Sequence, residues 1–113
     1  MKAVVAASQH WLDGDLIREH LVQLPVSSTV VVSDRAGGDS LVAKISEEEM
    51  ALHVEKVTVS PENFRQKMIE EINDDADSAI FFCCSESEDE YLVSKYARNH
   101  RILTDVVVKK LGV

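Results

Sequence analysis

A glycine pair flanked by charged side chains separates a run of valines from a segment with helical spacing. Gly37 and Gly38 lie between Arg35 and Asp39, shortly after a β-branched run that ends at Ser33. Glycines at a strand-to-helix junction let the backbone approach a phosphate closely, and a guanidinium can bind one through two hydrogen bonds. The segment therefore indicates either a loop that holds a phosphorylated ligand or a tight turn in which Arg35 pairs with a neighbouring acid.

Three other side chains also have both a functional and a structural interpretation. Asp39 could accept a hydrogen bond from a ribose hydroxyl, act in acid–base chemistry, or cap the helix that follows. Trp11, the only tryptophan, could stack on a base, pack beneath the first helix, or lie at a dimer contact. His10 is an acid–base candidate near neutral pH, although the sequence identifies no partner for it. The sequence alone leaves these alternatives open.

The elements that position these residues follow from the apolar pattern. Five short, mostly β-branched runs alternate with four segments of helical spacing, and the connections between them are only a few residues long. Continuous apolar runs are typical of parallel strands buried on both faces. Short connections imply right-handed crossovers, with helices on both sides of the sheet. The sequence therefore predicts an α/β, Rossmann-like three-layer sandwich, a five-stranded mainly parallel sheet with four helices, as a single domain over residues 1–113.

The predicted sheet has its first strand at the centre. We expect strands two and three on one side of it and strands four and five on the other. Ligands of such sheets bind beside the carboxyl ends of the strands, so the loops that follow strands one to four are the candidate site. The third helix is predicted to carry Pro61 in its first turn, behind an N-cap at Ser60. The predicted strands are 2–8, 28–33, 53–59, 78–84 and 102–108, and the predicted helices are 12–24, 40–52, 61–74 and 88–99.

Charge and composition exclude several classes of function. Twenty acidic and twelve basic residues give a formal charge of −8, which repels a nucleic-acid backbone, so we expect no nucleic-acid partner. The apolar runs are far shorter than the ~20 residues that a membrane span needs, so we expect no membrane contact. The run after Lys2 is also too short for a signal peptide, which favours a cytoplasmic protein.

The cysteines and histidines do not predict a metal centre. Cys83 and Cys84 are adjacent, and neighbours in a strand point to opposite faces, so they are expected to be buried free thiols and not a disulfide. The four histidines are scattered along the chain and do not have the spacing of metal ligands. We therefore expect no metal ion and no cofactor.

Short motifs recur in the loops after the predicted strands. Ser8 opens a stretch that continues through acidic residues into Leu-Ile-Arg, and Gly37 and Asp39 precede a helical alanine. The third helix contains Phe-Arg-Gln-Lys-Met, and Ser87 lies in the turn after the fourth strand, ahead of a Tyr-Ala pair. Together these motifs resemble the small YspA-like branch of the SLOG superfamily, Rossmann-like proteins related to the Lonely-guy enzymes.

The resemblance implies a pocket for a nucleotide or a nucleotide derivative. If the loop at residues 35–39 serves a ligand, we expect Gly37 or Gly38 to have positive φ with N–H groups aimed into the cleft, and Arg35 to face Ser8 across it. Relatives commonly dimerise, and a homodimer is expected through helix faces that carry Trp11, Leu12, Leu16 and Tyr96. The implied ligand-binding residues are Ser8, Gln9, Arg35, Gly37, Gly38, Asp39 and Ser87.

The chain departs from the family pattern at positions that would contact an anion. Gln9 stands where an arginine is usual, and Ser85, Asp89 and Glu90 replace residues of a glycine- and threonine-containing turn. At an effective dielectric of ~20, a carboxylate ~6 Å from a phosphate costs about 3 kcal/mol. If both acids point inward, a phosphate is excluded; if they point outward, Ser87 or Asp89 serves as a helix N-cap.

These departures leave three function classes. The family's enzymes cleave N-glycosidic bonds with a glutamate in the helix after the fourth-strand turn, but Glu88 and Glu90 lack the surrounding glycines. The expectation is therefore a binding module without catalysis. One alternative is an acidic protein-interaction unit that engages a basic partner, its ligand site having decayed. A nucleotide-processing N-glycosidase is the remaining alternative.

Overall fold

The protein, seen here in a computed structural model that describes residues 1–100 and 102–110, is an α/β sandwich. One sheet of five parallel strands is covered by four helices, which confirms the predicted fold class. The strands are β1 (Lys2–Ala7), β2 (Thr29–Ser33), β3 (His53–Val57), β4 (Ser78–Cys83) and β5 (Leu103–Val108). The helices are α1 (Gly14–Leu21), α2 (Gly38–Glu48), α3 (Phe64–Asn73) and α4 (Asp89–Asn99).

The strand order is β3-β2-β1-β4-β5, with every neighbouring pair parallel. The predicted central position of β1 is therefore confirmed, as is the placing of the other strands on its two sides. Residues 3–7 of β1 are alanines and valines without solvent exposure, because small and β-branched side chains fit between two helical layers. The order reverses between β1 and β4, and this switch point is where ligands of open parallel sheets bind.

Two apolar cores hold the layers together. One core lies between the sheet and the α1/α2 layer, and the other between the sheet and the α3/α4 layer. Successive side chains of β4 point to opposite faces of the sheet, so Phe82 lies in the first core and Phe81 in the second. Cys83 and Cys84 likewise enter opposite cores as buried free thiols, as predicted. Among the described residues, no helix is long and apolar enough to cross a membrane.

The boundaries of α3 differ from the prediction. The helix begins at Phe64, and the segment from Pro61 to Asn63 forms a turn instead of the first helical turn. The Asn63 side chain accepts the Ser60 N–H at 2.7 Å, and the Asn63 N–H bonds back to the Ser60 carbonyl at 3.2 Å. Asn63 therefore closes a turn with Ser60, and the helix that was expected to begin at Pro61 begins at Phe64.

The faces predicted for self-association do not form one surface. Trp11 is only 2% exposed and packs against Phe82 with ring centroids 5.3 Å apart, while its indole N–H bonds to the Asp13 carbonyl at 2.9 Å. Base stacking by Trp11 is thereby excluded, and its packing interpretation is correct. Leu12 is 87% exposed on the α1 side of the sheet, whereas Tyr96 packs in the α3/α4 layer. Self-association remains a prediction.

Candidate functional site

The glycine pair brings the start of α2 against the end of β1. Gly37 is the N-cap of α2 with φ of +84°, and the Gly38 N–H bonds to the Ser8 carbonyl at 3.1 Å. A Cβ atom on Gly38 would overlap that carbonyl oxygen and lie 2.7 Å from the Ala7 Cβ. Positive φ at Gly37 is as expected, but the Gly38 N–H binds the neighbouring loop and does not point into the cleft. The glycines therefore serve close backbone approach.

Asp39 joins the ends of β1 and β2. Its carboxylate is 0% exposed and accepts hydrogen bonds from the Ala7 N–H at 2.7 Å, from the Ser33 hydroxyl, and from the Arg35 Nε at 2.9 Å. Capping of α2 is thus not its role, since the carboxylate faces the strand ends. Burial raises its pKa above the ordinary value, although Arg35 and the other donors oppose this rise.

Arg35 points inward and is shared between two acids. Its Nη1 lies 2.6 Å from the Glu90 carboxylate, its Nε binds Asp39, and its Nη2 donates to the Ala7 carbonyl at 3.2 Å. The guanidinium also lies 3.6 Å from the centroid of the Phe64 ring, a cation–π contact. Burial alone would lower the pKa of Arg35, but Asp39 and Glu90 raise it above its usual value. The guanidinium is therefore permanently charged and already bound on all three nitrogens.

Glu90 is the second buried acid at this place. It is 3% exposed in the first turn of α4, and burial raises its pKa, with the Arg35 charge opposing the rise. Its neighbour Asp89 points outward and pairs with exposed Arg65 at 3.2 Å. Of the two acids expected to decide phosphate binding, one thus points inward and the other lies at the rim.

Glu88 occupies the turn between β4 and α4. One carboxylate oxygen accepts the Cys84 N–H at 2.6 Å and the Ser85 N–H at 3.1 Å, and the other accepts the Ser8 hydroxyl at 2.6 Å. The side chain makes no capping bond to α4, although Glu88 is its N-cap residue. A carboxylate held by two backbone N–H groups and a hydroxyl links β4 to the loop after β1, across the switch point.

A crevice lies above these buried groups. It consists of two adjoining pockets of about 320 Å³ and 510 Å³, which share Gln9, Arg35 and Pro61. The smaller pocket is also lined by Phe64, Ser87, Glu88, Asp89 and Glu90, and the larger by His10, Ala36, Gly37, Val59 and Ser60. A depression of about 610 Å³ on the outer face of α1 lies away from the strand ends, and its Arg18 is already paired with Asp15 and Glu49.

The residues expected to bind a ligand divide into two groups. Gln9, Arg35, Gly37 and Ser87 line the crevice, whereas Ser8, Gly38 and Asp39 lie buried beneath it. The Ser8 hydroxyl and the Asp39 carboxylate are engaged inside the protein, so a ligand would contact the first group. His10 is exposed at the larger pocket and has Gln9 as its hydrogen-bonding neighbour at 3.4 Å.

Sequence reasoning did not assign Glu88, Glu90, Phe64 or Pro61 to the site. The sequence carried a signal for Glu90, because it stands at a position where the SLOG pattern that the chain resembles has glycine or threonine, and Glu88 lies in the same turn. Phe64 and Pro61 line the crevice together with Gln9 and Glu90, which are distant in sequence, and no local pattern shows this placement. Among residues 1–100 and 102–110, no group of three or more His, Cys, Asp or Glu side chains is arranged to hold a metal ion.

Comparison of the chain with protein-family models, with curated proteins and with solved structures finds no match.

Proposed function

We propose that the protein is a small-ligand-binding module without catalytic activity, and that its ligand is a nucleotide or a nucleotide derivative. The observation that carries this proposal is the ion cluster of Arg35, Asp39 and Glu90 beneath the switch-point crevice. Charged side chains buried together contribute little net stability, and apolar residues of similar volume often do better. Their position under a crevice supports a role in binding.

The motif resemblance adds the class of ligand. Each of the four segments that resemble those of YspA-like SLOG proteins contributes at least one residue to the lining of this crevice. Its combined size suits a nucleoside-sized molecule, since small-molecule pockets typically range from ~300 to ~1,000 Å³. The proposal includes action in the cytoplasm and as a homodimer.

The carboxylates of the crevice favour binding over catalysis. A general acid or base must reach the proton that it transfers. Both Glu88 oxygens already accept hydrogen bonds, and Glu90 is paired with Arg35. N-glycosidic cleavage by either residue would require these contacts to break first.

A second candidate function is an acidic protein-interaction unit. Its support is the exposed acid Glu86, in the turn between β4 and α4, together with the overall charge of −8. Such a surface would steer a basic partner towards the loops. A basic partner that binds more weakly after Glu86→Gln would favour this candidate.

Binding is tested by native mass spectrometry of freshly purified protein, followed by calorimetric titration with nucleosides and their 5′-monophosphates. The variant Gln9→Ala/Ser87→Ala removes two exposed polar groups from the crevice, and Gln66→Ala/Ser40→Ala removes the same two residue types from exposed positions on α3 and α2. Loss of two hydrogen bonds predicts a roughly tenfold or greater weakening in the first variant. The second variant should bind like the wild type. Failure of every compound to bind at millimolar concentration would refute the binding proposal.

A further inference from the structure

Resting on the proposed function, we propose that the crevice selects uncharged ligands over their phosphorylated forms, and that Glu88 enforces this selection. The Glu88 carboxylate is an anion supplied by the chain itself at the switch point. A ligand phosphate would have to displace that carboxylate or lie beside it.

The donors around Glu88 are those that would otherwise bind a ligand anion. The Cys84 and Ser85 N–H groups belong to the end of β4 and its following turn, and the Ser8 hydroxyl comes from the end of β1. Two backbone N–H groups and a hydroxyl can surround one phosphate oxygen as readily as a carboxylate. Because all three bond to Glu88, an incoming phosphate would find no free donor among them.

Arg35, the guanidinium that lines the crevice, is also already paired. Arg35 lines both pockets, yet its guanidinium binds the buried Asp39 and Glu90 carboxylates at 2.9 and 2.6 Å. A phosphate that recruited Arg35 would leave two buried acids without their counter-charge, an arrangement that proteins avoid. Arg65, which pairs with Asp89 at 3.2 Å, is also engaged, although this pair is exposed. In the smaller pocket, the carboxylates of Glu88, Asp89 and Glu90 therefore oppose an anion, and Arg35 is already paired.

The remaining polar groups favour a ligand that donates hydrogen bonds. The smaller pocket is lined by three carboxylates, the Gln9 amide and the Ser87 hydroxyl. Sugar hydroxyls and exocyclic amines are donors that such acceptors bind. A nucleoside offers both without adding negative charge.

The experiment compares each nucleoside with its 5′-monophosphate by calorimetry, using the full chain. We use adenosine, guanosine, cytidine and uridine as probes, and we compare the wild type with Glu88→Gln. Glu86→Gln is the matched control, because it removes the same charge from an exposed residue of the same loop. Circular dichroism of each variant verifies the fold.

The wild type should bind at least one nucleoside tenfold or more tightly than the corresponding monophosphate. Glu88→Gln should narrow that ratio at least tenfold, whereas Glu86→Gln should leave it within twofold of the wild type. A monophosphate that binds the wild type as tightly as its nucleoside overturns the selection while leaving the proposed function intact. A ratio that Glu88→Gln does not change overturns the role of Glu88. Absence of binding by all eight compounds refutes the proposed function and this inference with it.

Discussion

Replacing Arg35 by methionine should strongly destabilise the protein, because two buried acids would lose the only cation that pairs with them among the described residues. The Arg35 side chain is 22% exposed, and the Asp39 and Glu90 side chains are 0% and 5% exposed. Truncating one partner of a buried ion pair typically costs about 3–5 kcal/mol, since the remaining charge is left uncompensated. At about 4 °C per kcal/mol for a domain of this size, the midpoint of thermal unfolding should fall by roughly 12–20 °C.

The assay is urea unfolding of Arg35→Met followed by circular dichroism, with Arg65→Met as the control. Arg65 also contacts one acid, at 3.2 Å, but its side chain is 60% exposed. An exposed pair of this kind contributes only about 0–1 kcal/mol. Adding Glu90→Gln to Arg35→Met should recover at least about 1 kcal/mol, because one of the two uncompensated charges is removed. If Arg35→Met loses no more stability than Arg65→Met, the cluster does not act as described.

Three further predictions follow from burial and close contact. Burial raises the pKa of Asp39 and Glu90, so the folded state binds these protons more tightly than the unfolded state does. Their stabilisation is complete below the unfolded pKa of about 4 and is lost as pH rises through the folded values, so the free energy of unfolding should rise from pH 7 towards pH 4. Urea titrations at several pH values should show a shallower rise in Glu90→Gln. Gly38→Ala should cost at least about 2 kcal/mol in the same assay through overlap with the end of β1. Gly14→Ala, whose new Cβ would lie 3.2 Å from the end of the flexible Arg18 side chain, should change stability by less than about 1 kcal/mol. Burial raises the pKa of Cys83 to about 12, and Cys84 is shielded by its own burial, so a thiol reagent at pH 8 should modify neither cysteine until the protein is unfolded; rapid reaction of the native protein would contradict this.

The fold was predictable because its signals are local and repeated. Each strand is a short apolar run bounded by polar residues, and each helix has its own apolar spacing. The errors lie at element ends, where one side chain decides. Asn63 closes a turn with Ser60, so α3 starts three residues after Pro61. The Trp11 indole binds the Asp13 carbonyl, which holds the chain in a turn before α1.

The location of the site was predictable from the sequence, but the contacts between its residues were not. Rules for parallel sheets located it at the strand ends, and the choice of Asp39 as a partner of Arg35 was among the stated alternatives. The Glu90 partner is far along the chain and depends on how α4 packs. Consecutive residues of a helix point about 100° apart, so only one of Asp89 and Glu90 lies buried beneath the crevice, and the other lies at its rim. Composition cannot indicate which one does so.

The buried cluster of Arg35, Asp39 and Glu90 helps to distinguish the two candidate functions. A surface that attracts a basic partner needs its carboxylates in solvent, where they steer the encounter, and exposed Glu86 in the turn between β4 and α4 meets that need. Such a surface gains nothing from Asp39 and Glu90, which are 0% and 3% exposed. Buried acids are screened from a partner by their own counter-charge. Stability does not account for them either, since apolar replacements of similar volume are often neutral or better. The cluster does matter to a small molecule that enters the crevice, because Arg35 and Glu90 line the smaller pocket and hydrogen bonds to charged groups are stronger than those to neutral ones. The depth of these two acids therefore favours the binding module.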